Sequence, residues 1–448
     1  MRSFRVLLVC VLVFALPAQA HAHGGLKSSE PSGNAHLSTA PREIRLEFSE
    51  AAELAFTRIT LVGPDSASVS LGALRTAPDN PRAVVVMIEG QLVSGEYSVM
   101  WQMAGADGHP TRGKFSFVIA PGATGLSHSL MPIGAESTEH HRAAEMPQGN
   151  DFGSESFAYV FLRWLQFTAM LIVFGAIAFR FGVINLLRRK QSEPAMITEA
   201  ARGAARLGHI AAAVLVVTLV LRLYAQSYAM HGASDAFNAG LIGGMLRHTL
   251  WGFGWFTQLV ALILAGVGFH MARMADTESK WWLLAACGGV LLAFTPALSG
   301  HAASLPRFST LAIIADAIHV MGAGGWLGSL LMVVIAGVPA AMRLEESRKG
   351  PAVATIVNAF SPTALVFAGI VALTGLFAAW MHVGAIPALW QSQYGKILLL
   401  KLGILSIVAL TGAYNWKVVQ PGLRSIDGAK KIRRSASVEL AVGVLVIA

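Results

Sequence analysis

Thiols are nearly absent from this 448-residue chain. Of its two cysteines, Cys10 falls in an N-terminal apolar run and Cys287 in a later one. That excludes a disulfide framework or a thiolate metal site in any exported part. Charge is scarce too: Asp, Glu, Lys and Arg make up 13% of the residues against 54% hydrophobic. This excludes an ordinary soluble enzyme and points to a membrane protein. A glycine-rich phosphate loop, a Ser/His/Asp arrangement and paired carboxylates placed for hydrolysis are also missing. The chain is therefore expected not to be an enzyme, and nothing in it points to nucleic acid.

What is present begins with a leader. Arg2 and Arg5 precede the apolar run 6–16, and Ala18, Ala20 and Ala22 follow, which reads as a secretory signal peptide over 1–22. Cleavage after Ala20 or after Ala22 fits the small-x-small rule, so the mature chain starts at His21 or His23. Residues 23–150 hold 9 Lys+Arg against 13 Asp+Glu, whereas residues 151–448 hold 23 against 12. The positive excess belongs to the apolar half.

Apolar runs of about 20 residues, enough to cross a bilayer, lie near 157–179, 207–229, 250–272, 281–299, 309–340, 353–380 and 396–416. An eighth starts near Val438. With the N-terminal part exported, the loops after the first, third, fifth and seventh runs face the cytoplasm. They carry sixteen Lys and Arg residues, among them Arg188, Arg273, Arg343 and Lys430, against two (Arg247 and Arg307) in the opposite loops. This positive-inside bias predicts a multi-pass protein embedded in inner-membrane lipid, with its N-terminal domain in the periplasm.

Residues 43–119 read as short strands: EIRLEFS, LAFTRITLV, AVVVMIE, YSVMWQM and KFSFVIA. Gly63-Pro64, Pro78 to Pro81, Gly95 and Gly108-Pro110 punctuate them. The pattern predicts a small all-β sandwich or barrel over 23–120. A linker over 121–155 and an all-α membrane bundle of about eight helices over 156–448 follow. The linker carries His128, Met131, His140, His141 and Met146. It reads as a solvated tether or as a flexible relay for metal.

Five of the seven histidines in the membrane half map to its outward side: His231, His248, His301, His319 and His382. Met230-His231 and Met381-His382 join thioether to imidazole, a donor mix that suits copper and Cu(I) above all. Taken singly, His209, His248 and His270 read as ordinary interfacial residues. His319 differs. It lies about ten residues into the fifth run, near mid-membrane, with Asp316 on the same face one turn earlier. The glycines of GAGGWLGS (322–329) let another helix approach closely. An ionisable pair inside a bilayer is a functional-site candidate; its structural alternative is a helix–helix hydrogen bond. Arg163, Arg222 and Glu439 lie near enough to segment ends to snorkel, and Lys401 lies deeper.

HGGLKSSEP (23–31), FSE (48–50) and GADGHPTRGKFSFV (105–118) resemble the CopC family of periplasmic copper-binding proteins. That resemblance implies an Ig-like sandwich with a Cu(II) site. Its ligands are the amine and ring of the mature first residue plus the Asp and His of the D-x-H-P turn. Here they would be His23, Asp107 and His109, with cleavage after Ala22. Amine, imidazole and carboxylate are donors suited to tetragonal Cu(II). The family's methionine cluster is missing, because Met87, Met100 and Met103 are dispersed. AIHVMGAGGWLGSLL (317–331), FSPTALVFAGIVALTGL (360–376), YGKILLLKLGIL (394–405) and AYNW (413–416) resemble the CopD family of inner-membrane copper proteins. The two families occur as fusions.

Together the resemblances imply a copper homeostasis or resistance protein that captures Cu(II) in the periplasm and moves copper across the inner membrane. Its partners would be copper ions and periplasmic copper carriers. The expected path runs by His301, His319, Met381 and His382, after reduction to Cu(I). Inward movement is expected, since the capture domain is outside and the cytoplasmic loops carry no Cys-x-x-Cys or Met cluster. Two other readings stay open: a membrane electron-transfer protein with haem held by helix histidines, and a copper sensor without transport. One residue added ahead of His23 moves the terminal amine, so Cu(II) affinity of the processed protein should fall sharply. Electron paramagnetic resonance titration checks this, and an unchanged signal and affinity would remove His23 from the site.

Overall fold

A computed structural model describes residues 25–105, 110–124, 156–275, 277, 279–298, 309–383 and 386–414. The expected leader, most of the 121–155 stretch and the expected eighth span from Val438 lie outside them.

Strict alternation builds the β half. β3 (Glu43–Phe48) turns Ile44, Leu46 and Phe48 inward, and β7 (Asn80–Met87) adds Val84 and Val86. β8 (Gly95–Ala104) contributes Tyr97, Val99, Trp101 and Met103, while β9 (Pro110–Thr124) contributes Phe117 and Ile119. The remaining strands are β1 (Leu26–Glu30), β2 (His36–Thr39), β4 (Arg58–Val62), β5 (Ser68–Val69) and β6 (Arg75–Ala77). They form two sheets, ordered β1-β3-β7-β6 and β2-β9-β8-β4-β5, with β2 and β9 parallel and the other pairs antiparallel. The inner faces share one apolar core, as a sandwich requires. In it Phe48 meets Trp101 edge-on at 5.2 Å, and Tyr97 stacks on Phe117 at 5.5 Å. Each such side chain contributes about 1.5–3 kcal/mol on burial.

Three details differ from the strand pattern. Leu54–Phe56 forms a 3-10 turn rather than the start of a strand. The Thr57 hydroxyl donates to the Glu53 carbonyl at 2.9 Å and closes that turn, so extended pairing begins only at Arg58. β1 and β2 add two strands ahead of residue 43. β9 runs on to Thr124, paired with Thr39, so the first residues of the expected linker belong to the sheet. The methionines are dispersed as expected: Met103 is fully buried in the core, Met100 is half-buried, and Met87 is exposed on the other sheet.

The helical half contains α1 (Phe157–Arg189), α2 (Pro194–His231), α3 (Ala239–His248), α4 (Leu250–Met274), α5 (Trp281–Leu298), α6 (Thr310–Met342), α7 (Glu346–Val383), α8 (Ala388–Gln391) and α9 (Gln393–Tyr414). Among the described residues seven helices are long and apolar enough to cross a membrane, all but α3 and α8. α2 starts well before the expected 207 because Pro194 sits in its first turn, a favoured position. Arg202 and Arg206 therefore lie on a helix, not in a loop. Side-chain caps define other starts: Ser156 accepts from Tyr159 N–H at 3.2 Å, and Thr249 accepts from Gly252 N–H at 2.9 Å.

Polar contacts gather the basic linkers at one end of the bundle. Arg180 donates twice to the Thr277 carbonyl, at 2.9 and 2.6 Å, and also bonds Asn185. Arg348 pairs with Glu193 at 3.1 Å, and Arg343 pairs with Glu199. The linkers after α1, α4 and α6 thus meet at the N-terminal end of α2. Its far end, at His231, is about 57 Å away at 1.5 Å per residue.

The glycine run after His319 does what its composition predicts. A Cβ at Gly328 would overlap the Leu171 carbonyl, and one at Gly175 would overlap the Gly328 backbone. α1 and α6 therefore touch backbone to backbone. A π-helical turn over Gly324–Gly328 widens α6 at this contact. Gly328→Ala should cost about 1–3 kcal/mol through overpacking. A lowered melting temperature in detergent checks this, with Gly369→Ala, where the added methyl meets nothing within 4 Å, as the unaffected control.

Candidate metal centre

The β-sandwich stands on the bundle through the outer face of β8 and β9. Gln102 Nε2 donates to the Met230 carbonyl at 3.1 Å, and Arg112 donates to the Ala229 carbonyl at 2.7 Å. Arg112 Nε also donates to Gln102 Oε1 at 2.9 Å, so the two side chains brace each other. The accepting carbonyls belong to the last turn of α2, where a helix leaves acceptors without intrahelical donors. Burial, and secondarily the neighbouring charge of Arg58, pushes the Arg112 guanidinium below its ordinary pKa. Beside these bonds Ala104, Met230, Met245 and Trp251 form a buried apolar cluster, with Phe56 against it. Glu53, whose backbone N–H bonds the Ala104 carbonyl at 2.8 Å, has its carboxyl pushed up by burial.

His23, Asp107 and His109, the expected Cu(II) ligands, lie outside the described residues. The strand ends that flank 106–109 are described: Ala104 pairs with Pro110 and is fully buried against the bundle cluster. The Glu50 carboxylate, the last residue of the FSE motif, packs against Gly105, where a Cβ would come within 2.6 Å of it. Among the described residues no three His, Cys, Asp or Glu side chains converge as a metal site.

In the membrane half, His301 lies outside the described residues, and His382 is described only as part of α7. His319 is placed fully. Its Nδ1 lies 2.9 Å from the Thr374 hydroxyl on α7. That hydroxyl spends its one proton on the Ile370 carbonyl at 2.7 Å. With that proton on the carbonyl, the hydroxyl oxygen accepts from the ring if Nδ1 carries the hydrogen. The structural alternative, a helix–helix hydrogen bond, is thus present. Met381 is seven residues beyond Thr374 on α7, two turns and about 10.5 Å away on the same face. At that spacing Met381 does not share one coordination sphere with His319.

Two groupings escaped the reading of single residues. His209 on α2 and His270 on α4 meet edge-on with ring centroids 5.2 Å apart. Rings in direct contact leave no room for a macrocycle between them. His270 Nδ1 accepts from Arg273 at 3.2 Å, while His209 Nδ1 lies 3.2 Å from the Gly266 carbonyl. The pair therefore gives no support to haem. At the opposite end, Met230 and His231 line one cavity with Met245 and His248 from α3. The Met-His dipeptide was visible in the sequence. That Met245 and His248 join it was not, since only the fold brings α3 there.

The region 26–120 matches the model of the CopC domain, 154–306 that of the copper resistance protein D-like N-terminal domain, and 354–448 that of copper resistance protein D. The match over 154–306 takes in the first four spans. The chain is 26% identical over 446 residues to the copper transport protein CutJ of Bacillus subtilis (strain 168), covering 99% of this chain and 75% of that one. It is 25% identical over 298 residues to copper resistance protein D of Pseudomonas syringae pv. tomato, covering 64% of this chain and 92% of the relative. Its sandwich is 32% identical over 114 residues to copper resistance protein C of Escherichia coli, covering 24% of this chain and 90% of the relative.

Replacing Arg112 by Ala strands a buried amide oxygen and the end of α2, at a cost of about 1–3 kcal/mol for each unsatisfied group. Hydrogen–deuterium exchange should then quicken in β8 near Gln102 and at the end of α2. The core strands β3 and β7 should stay protected.

Proposed function

Because this chain belongs to the CopC–CopD copper resistance family, with both domains in one polypeptide, we propose that it captures Cu(II) outside the inner membrane and carries copper inward. In this reading His23, Asp107 and His109 hold Cu(II) in the periplasmic sandwich. Copper then passes as Cu(I) along the α6–α7 seam by His319, with His301, Met381 and His382 nearer the outer face. The electron for reduction comes from a partner outside this chain. The protein acts as a carrier, not an enzyme, and contributes to copper homeostasis.

One observation carries most of the weight. The CopC-type sandwich is docked on the end of α2 opposite the basic linkers. By the positive-inside bias that end faces the periplasm. A capture domain seated there suits delivery into the bundle from outside. His319 supports the membrane step because it is an imidazole held at the contact between α6 and α7 and because a bare cation in hydrocarbon is prohibitively costly.

Expression of the protein should raise cellular copper, and His319→Ala should abolish that rise while the periplasmic Cu(II) resonance signal persists. Elemental analysis of washed cells reads both arms. Lower copper on expression would reverse the direction, and uptake unaltered in the variant would take His319 off the path.

A further inference from the structure

Where the sandwich meets the bundle, a cavity of about 210 Å3 lies between Phe56 and Arg58 of the exported domain, Met230 and His231 of α2, and Met245 and His248 of α3. We propose that this cavity is a handover site, in which the thioethers of Met230 and Met245 and the imidazoles of His231 and His248 take a monovalent copper ion as it passes from the exported domain to the bundle. The inference rests on the copper reading above and adds a site that reading does not use.

The sulfur donors come from two separate elements. Met230 and His231 are the last residues of α2, which Gly232, at φ 85°, brings to a stop. Met245 and His248 are three apart on α3 and share one face. Met230 and Met245 are 4% and 1% exposed and sit in the same buried cluster, so both sulfurs are held away from bulk water. His231 is nearly as buried, at 8%. Its Nδ1 is engaged by the Ser227 hydroxyl at 3.3 Å, and Phe56 closes on its ring edge-on at 6.4 Å. A ring anchored through Nδ1 presents Nε2 to a ligand, which is how metal-binding imidazoles are commonly oriented. His248 is exposed and gives the cavity a donor at its solvent side.

The donor set chooses the ion. Neutral thioethers and imidazoles favour soft Cu(I), and no carboxylate is among the lining residues described, so a hard divalent ion finds no anionic oxygen donor. Arg58 lines the same space, and its repulsion is twice as large for a divalent as for a monovalent ion. Asp235 also acts on His231 and offsets part of that charge. A cavity several times the roughly 30 Å3 of one water does not clamp a lone ion. That looseness suits transit rather than storage.

The test uses the full-length protein in detergent, loaded anaerobically with a Cu(I)–acetonitrile complex against a chromophoric Cu(I) chelator. Met230→Leu with Met245→Leu conserves side-chain volume and should lower affinity for one Cu(I) equivalent at least tenfold. Sulfur scattering should disappear from the copper X-ray absorption spectrum, and the Cu(II) resonance of the exported domain should not change. His231→Gln with His248→Gln gives an independent second measurement, with loss of nitrogen scattering in place of sulfur. If both double variants keep the wild-type Cu(I) stoichiometry and affinity, the handover site falls and the copper reading stands; a wild type that takes Cu(II) but no Cu(I) overturns the handover site and the Cu(I) membrane step together and leaves only the Cu(II) capture. A wild type that takes neither ion overturns both.

Discussion

Arg112 and Gln102 hold the last carbonyls of α2, and the relation between the two halves of the molecule hangs on that contact. A helix C-terminus offers unpaired acceptors and the negative end of the helix dipole. A guanidinium answers both at once. Gln102 is used in two directions, donating to Met230 and accepting from Arg112, so neither side chain can be exchanged alone without leaving the other half-satisfied. Arg112 also lies two residues after Pro110, in the stretch whose D-x-H-P pattern marks the expected Cu(II) site. The segment that carries the expected metal ligands also carries the anchor.

Within the bundle, close packing and polar fixing divide the work. Glycines bring α1 and α6 into backbone contact, which gains dispersion where hydrophobic burial gives little, since lipid is as apolar as the protein. Arg180, bonded to Thr277 and stacked over Trp282, ties the basic end. His319 and Thr374 then join α6 to α7.

The site at the junction illustrates a different division. Met230 and Met245 fill the boundary between sandwich and bundle as any buried methionines would. The same side chains border a cavity with two imidazoles. Packing brings the sulfurs there, and the cavity lets them act as donors.

Much was determined by the sequence alone. Alternation marked β3 and β9, a continuous apolar run between turn residues marked β7, apolar length marked the seven described spans, and Lys and Arg placement marked which linkers share an end. These are local, one-dimensional properties, and the physics that reads them acts over a few residues or over bilayer thickness. Motif spacing also carried the family resemblance. Other features were decided only by tertiary structure. The 3-10 turn at Leu54–Phe56 arises from one threonine hydroxyl overriding β propensity. His209 meets His270, His319 meets Thr374, and Arg58 faces Met245 and His248 only because long helices and a docked sandwich bring together segments far apart in the chain. No local spacing encodes such a meeting, because it is set by the sum of packing over the whole bundle.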